Sequence, residues 1–195
     1  MPDSRRPRPA LLIIDMINAF QFPGAEGLLP KALQAGRRIL ELRERFRAAG
    51  QPVIYVNDNF GAWRSDRSTL LRECGASGAR GAPLVRLLAP HEDDYFIIKP
   101  RHSGFFATSL RLLLQDLDVN SLVLTGVTTD ICIRATAMDA YMHGYPLRVP
   151  CDCTATVLAR HHEQALEFLR EVCKADIRPQ YEETEEADRC DGDPD

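Results

Sequence analysis

No apolar run in this chain of 195 residues approaches the ~18–20 needed to cross a bilayer. The longest, ALLIIDM, is interrupted by Asp15, and that aspartate also breaks the apolar stretch a secretory leader would need after MPDSRRPRPA. A cytoplasmic protein is therefore expected. The formal net charge of -4 offers no basic footprint, so neither nucleic acid nor a membrane surface is an expected partner. Arginines do cluster at Arg5 to Arg8 and at Arg37 to Arg47. The first group sits in a Pro-rich tail, and the second alternates with Glu41 and Glu44, which reads as a solvated helix face. There is no C-x-x-C pair among the six cysteines, only Cys151-Asp152-Cys153, and a chain of this size has no need of disulfides. Most are expected to be reduced, buried and small-hydrophobic in behaviour. GASGARGAP, between Gly75 and Pro83, lacks both a phosphate-loop lysine and a dinucleotide fingerprint, so it reads as an ordinary loop.

What remains is an alternation of short β-branched runs with longer segments of helical period. ALLIID, PVIYVND, YFIIK, SLVLTGV and PLRVP are continuously apolar rather than alternating, which marks buried strands of a parallel sheet. KALQAGRRILELRERFRAAG, a stretch around GAPLVRLLA, TSLRLLLQDLD, TDICIRATAMDAYMHG and TVLARHHEQALEFLREVC repeat apolar residues three and four apart and read as helices. Leu33, Ile39, Leu40, Leu42 and Phe46 form the stripe of the first. ADIRP is read as a sixth strand. This rhythm predicts an α/β fold: a three-layer, doubly wound sheet of about six parallel strands with helices on both faces. One domain over residues 10–178 is expected, with 1–9 and 179–195, rich in charge or proline, as flexible tails.

In such folds ligands bind outside the carboxyl ends of the strands. The residues at those ends are Asp15, Asn57 to Phe60, Lys99, Gly126 to Cys132 and Cys151 to Thr154. Three of them carry chemistry. Cys132 follows a buried strand at the start of a helix, where the dipole and a nearby ammonium favour thiolate and free N–H groups can bind an oxyanion. Asp15 ends a wholly apolar strand, placed to act as general base toward the thiol and then as acid toward a leaving amine. Lys99 ends YFIIK and would hold Asp15 and favour the thiolate. Each has a plainer alternative: a buried cysteine, a helix cap or structural ion pair, and a snorkelling lysine.

Three blocks, DMINAF, KPRHSGFFATSL and TGVTTDICIRATAMDAYMHGYPLRVPCDCTA, stand in the order Asp, Lys, Cys. Together they resemble the signature blocks of the isochorismatase-like cysteine hydrolases, a family that includes nicotinamidases, N-carbamoylsarcosine amidases and ureidoacrylate hydrolases. The resemblance runs from about Ala10 to Ile177. It implies that Asp15, Lys99 and Cys132 are a catalytic triad and that the Val127–Thr128 bond is a cis peptide. It further implies an oxyanion hole from the backbone N–H groups of Thr128 and Cys132, a thioester route with no organic cofactor, and a homo-oligomer.

The chain departs from one branch. Nicotinamidases hold a metal with an aspartate in a D-x-H arrangement; here Asp58 is followed two residues on by Phe60, and His91 and His102 lie beyond the next elements. No catalytic metal is expected. His161 and His162 are adjacent on a helix and read as surface residues, and His143 as a cation at a helix end. Phe20, Asn59, Phe60, Trp63, Phe105 and Phe106 are the expected pocket walls, with core packing expected for at least two. His102 stands between substrate contact and plain surface, as do Arg64 and Arg67.

These readings lead to a metal-independent cysteine hydrolase that cleaves a C–N bond of a small amide, ureido or carbamoyl substrate. The alternatives are vinyl ether hydrolysis with Asp15 as acid, a catalytically idle binding scaffold, and a redox role for Cys132.

Overall fold

The computed structural model describes residues 7–180. The tails expected at 1–9 and 179–195 lie largely outside these residues. Where they fall inside, Pro9 opens the first strand and the Gln180 N–H donates to Asp152 Oδ1 at 2.9 Å.

Six parallel strands form one sheet: β1 (Pro9–Ile14), β2 (Val53–Asp58), β3 (Tyr95–Lys99), β4 (Ser121–Val127), β5 (Leu147–Arg148) and β6 (Thr154–Ala155). The order is β3-β2-β1-β4-β5, with β6 paired to β4 beyond the end of β5. The helices are α1 (Ala25–Ala48), α2 (Arg67–Cys74), α3 (Ala82–Leu87), α4 (Leu110–Asp116), α5 (Arg134–Met142) and α6 (Ala159–Glu171). No described helix is long and apolar enough to cross a membrane.

Alternate residues of each strand feed opposite layers. Leu11 and Ile13 of β1, with Tyr55 and Val123, pack under α1, α2 and α3 through Leu28, Ile39, Leu70 and Leu84. Leu12 and Ile14, with Val56 and Leu124, pack under α4, α5 and α6 through Leu114, Ala137 and Leu169. Burying both faces is why these strands carry continuous Leu, Ile and Val, each fully buried side chain contributing about 1.5–3 kcal/mol. Gly36 lets α1 approach α3, since a Cβ there would stand 2.8 Å from Leu84 Cδ1.

Four expectations need correction. ADIRP is not a strand of the sheet: it runs beside β5 through bonds such as Asp176 N to Leu147 O at 2.9 Å, but pairs only as an isolated bridge. Pro146 and Pro150 bracket β5 and limit it to two residues, and β6 takes the sixth place. Secondly, α2 went unread in a polar stretch, although Asp66 caps it by accepting from the Thr69 N–H at 2.7 Å. Thirdly, the arginine face of α1 is not wholly solvated. Arg43 is buried and donates to Tyr55 Oη and to the Ala89 carbonyl, at 3.0 and 3.1 Å. Lastly, most of the described cysteines are free as expected, namely Cys74, Cys132, Cys153 and Cys173, but Cys151 is disulfide-bonded in a chain expected to need no disulfide.

Candidate active site

Neighbouring strands deliver the site. Asp15 follows β1 directly, Asp58 ends β2, Lys99 ends β3, and Cys132 lies in a π-helical turn, Thr129–Ile133, that follows β4. Asp58 and Lys99 are register partners, so their side chains share one face of the sheet. Asp15 has a positive φ of 55°, a conformation that turns its side chain out of the strand, and its N–H donates to Val56 O at 3.0 Å. Gly126, beside it on β4, has φ 113°, and any Cβ there would stand 2.0 Å from the Ile14 carbonyl oxygen.

The Lys99 ammonium is the hub. Its Nζ lies 2.9 Å from Asp15 Oδ2, 3.3 Å from Asp58 Oδ2 and 3.5 Å from Cys132 Sγ. Lys99 is completely buried and Asp15 nearly so. The other oxygen of Asp15 accepts the Asp58 N–H at 2.7 Å, and Lys99 links that carboxylate to the Cys132 sulfur. Asn57 braces the loop after Asp15, accepting from Ile17 N–H at 3.1 Å and donating to Ile17 O at 2.8 Å.

Burial raises the Asp15 carboxyl above its ordinary value, in spite of Lys99, Cys132 and the Asp58 N–H, which act the other way. Burial and then the Asp15 charge push the Cys132 thiol well up, against the pull of Lys99. For Lys99, burial works to discharge the ammonium, but Asp15, Cys132 and Asp58 outweigh it and keep it charged. Lys99 acts toward the thiolate, as expected, while burial and the Asp15 charge act against it.

The Val127–Thr128 peptide is cis. The Thr128 carbonyl accepts both Ile131 N–H and Ile133 N–H, at 3.2 and 3.1 Å, which winds the turn that carries Cys132 about that residue.

The expected walls separate into two groups. Phe20 is wholly enclosed in the core against Phe22, with ring centroids 6.0 Å apart, and is assigned to packing. Phe105 is half-buried against His143 and Tyr145, while Asn59 is buried and accepts from Gly61 N–H at 2.9 Å. Phe60, Trp63, Phe106 and His102 are exposed, Trp63 to 79%. Asp58 engages both oxygens within the chain, Oδ2 on Lys99 and Oδ1 on the Phe60 N–H at 2.7 Å. Among the described residues no three His, Cys, Asp or Glu side chains gather as a metal site.

Two contacts lay outside the sequence reading. The Asp58 to Lys99 pairing follows from strand register, which the sequence does not print. His162 is not a surface residue: its Nδ1 meets Thr129 Oγ1 at 2.9 Å, in the turn that carries Cys132. A cleft of about 580 Å³ opens at the amino ends of the strands, lined by Arg8, Arg47, Pro52 and Asp94, and touches none of these residues. The Asp15, Asp58, Lys99 and Cys132 cluster lies at the other end of the sheet.

A doubly wound sheet with this carboxylate, ammonium and thiol at its carboxyl edge defines an α/β hydrolase of the isochorismatase type. Residues 9–177 match the isochorismatase domain family, and the chain belongs to that family. It is 40% identical over 168 residues to the isochorismatase family protein YaaI of Bacillus subtilis, covering 86% of this chain and 92% of that one. It is 31% identical over 167 residues to maleamate amidohydrolase of Pseudomonas putida, covering 82% and 78%. Among solved structures, an isochorismatase family protein of Desulfovibrio vulgaris superposes with a TM-score of 0.72 at 28% identity, covering 89% of this chain and 95% of that one. The protein is a hydrolase of this family.

Proposed function

We propose that the protein is a cysteine hydrolase that cleaves the C–N bond of a small amide, ureido or carbamoyl compound through a Cys132 thioester. The observation that carries this reading is the Lys99 ammonium, 2.9 Å from the Asp15 carboxylate and 3.5 Å from the Cys132 sulfur, which gathers the three groups at one point. The family membership and the amidohydrolase among the relatives support it.

Asp15 takes the thiol proton as sulfur adds to the substrate carbonyl carbon. Its raised affinity for protons makes it a stronger base than an ordinary carboxylate. Negative charge collects on the carbonyl oxygen, where the N–H groups of Thr128 and Cys132 serve as the oxyanion hole. Asp15 then gives its proton to the nitrogen as the C–N bond breaks, and the amine or ammonia departs. Water, deprotonated by Asp15, attacks the thioester; the acid leaves and the proton returns to sulfur. Lys99 holds Asp15 in place throughout and balances the charge. No step calls for a metal, and the position of Asp58 is committed to Lys99 and the Phe60 N–H.

Asn59, Phe60, Trp63, His102 and Phe105 are the substrate-contacting residues of this reading, which takes the protein as a cytoplasmic homo-oligomer. One observation favours a second reaction: a carboxyl with a raised proton affinity also suits Asp15 as the acid of vinyl ether hydrolysis.

The test is peptide mapping after brief iodoacetamide treatment at pH 8. Cys132 should be modified ahead of Cys74, Cys153 and Cys173, none of which is more than 2% exposed. Labelling spread evenly, or a Cys132 that never reacts, would sink the nucleophile assignment and leave ether hydrolysis or an idle scaffold.

A further inference from the structure

The turn that presents Cys132 is π-helical, a wider winding than an α-helix and one that packs its own backbone less tightly. External ties hold it. Thr129, completely buried, meets His162 Nδ1 at 2.9 Å, and its neighbour Asp130 accepts from Thr156 Oγ1 at 2.6 Å through Oδ1. The second oxygen of Asp130 faces His161 Nδ1 at 3.6 Å. Two successive residues of the nucleophile turn are therefore met by two successive histidines in the first turn of α6.

His162 reaches further than its neighbour. Its ring also lies near the Cys151 carbonyl, on the short turn that leads into β6, and that carbonyl favours the protonated ring. One imidazole thus spans the segments that follow β4 and β5.

We propose that His162 is a positioning residue for the Cys132 reaction: its ring holds the buried Thr129 hydroxyl and so ties the backbone that carries the nucleophile to α6. The proposal rests on the reading of Cys132 as nucleophile. His162 touches neither sulfur nor substrate and acts only through the turn. Without it, the buried Thr129 hydroxyl loses a partner, and the thiol drifts from Lys99.

The device also carries a pH signature. Burial lowers the His162 pKa below its usual value, as does Lys31 on α1, while the Cys151 carbonyl, Glu163 and Asp130 act in the opposite direction. The ring is neutral at pH 7. On acidification both ring nitrogens carry protons, and the Thr129 hydroxyl can then only accept from Nδ1.

The test measures the second-order rate constant of Cys132 alkylation by iodoacetamide from pH 5 to 8. It uses the full chain and the variants His162→Ala, His162→Asn and Thr129→Val, with thermal midpoints recorded alongside. Asparagine places an amide near the Nδ1 position without a titrating group. His162→Ala and Thr129→Val should each slow alkylation about tenfold at pH 7.5. His162→Asn should recover most of the rate. Wild type should show an inflection below pH 6.5 that all three variants lack. Wild-type rates and profiles in the alanine and valine variants would overturn the proposal. So would Ala and Asn variants that are equally slow with equally lowered midpoints, since that is a purely structural effect. If wild-type Cys132 itself never reacts, the nucleophile reading has failed before any substitution, and this proposal falls with it.

Discussion

The Lys99 ammonium lies 2.9 Å from the Asp15 carboxylate and 3.5 Å from the Cys132 sulfur. In the proposed reaction Asp15 opposes the thiolate at rest, by its charge, and accepts the thiol proton as sulfur attacks.

That double role separates two measurements. In Asp15→Asn the charge that pushes the thiol up is gone while Lys99 remains, so alkylation of Cys132 at neutral pH should be at least as fast as in wild type. Amide hydrolysis should fall by about 10³-fold, because the proton relay is lost. Stopped-flow alkylation and ammonia release, run side by side, check this. Parallel losses of both would contradict the account.

Removing the hub should be costly to the fold. Lys99→Met leaves Asp15 and Asp58 without their buried cation, and breaking a buried pair in this way costs about 3–5 kcal/mol. Part of the loss should be recovered at acidic pH, where protonation neutralises the abandoned carboxyls. Chemical denaturation at pH 5 and pH 8 gives both numbers.

Activity should fall on the acid side at a pH above the ordinary carboxylate value of 3.8, since Asp15 must be ionised to act and burial raises it. The sign for stability is the reverse. A group whose folded pKa lies above its unfolded one contributes stability that is full below the unfolded value and is lost as pH rises through the folded value. Acid inactivation through Asp15 therefore precedes unfolding. A pH profile of kcat/KM, with circular dichroism at each pH, should show activity lost while the fold persists.

Gly126→Ala should destabilise the sheet by on the order of 3 kcal/mol, because its Cβ would lie 2.0 Å from the Ile14 carbonyl oxygen on a strand with φ 113°. The clash sits one residue before Asp15, so residual folded protein should also hydrolyse amides poorly. A thermal melt with an assay of the surviving fraction checks both.

The strands were legible because each central one is a run of Leu, Ile and Val buried on both faces, and the meeting of Asp15, Lys99 and Cys132 followed from their places at the strand ends. ADIRP misled because its apolar pattern fits a strand, while the prolines around β5 leave it little edge to pair with. The α2 cap at Asp66 was readable as Asp before a short apolar pair, but Trp63, Arg64 and Ser65 masked it as loop. Arg43 could not be read: its partners Tyr55 and Ala89 belong to other elements, and an arginine on an amphipathic helix reads as solvated by default. His162 failed for the same reason. Adjacent histidines on a helix point in different directions, as read, but only the packing of α6 on the Cys132 turn shows which one turns inward.

The central claim is that Cys132 becomes acylated. The most direct measurement takes whichever small amide or ureide releases ammonia with the wild-type protein and quenches that reaction in acid during turnover. The quenched protein is then mapped by mass spectrometry, with Cys132→Ala as its partner. The account predicts the acyl mass on the Cys132 peptide and no ammonia release from the alanine variant. Turnover without an adduct, sustained by Cys132→Ala, would contradict it.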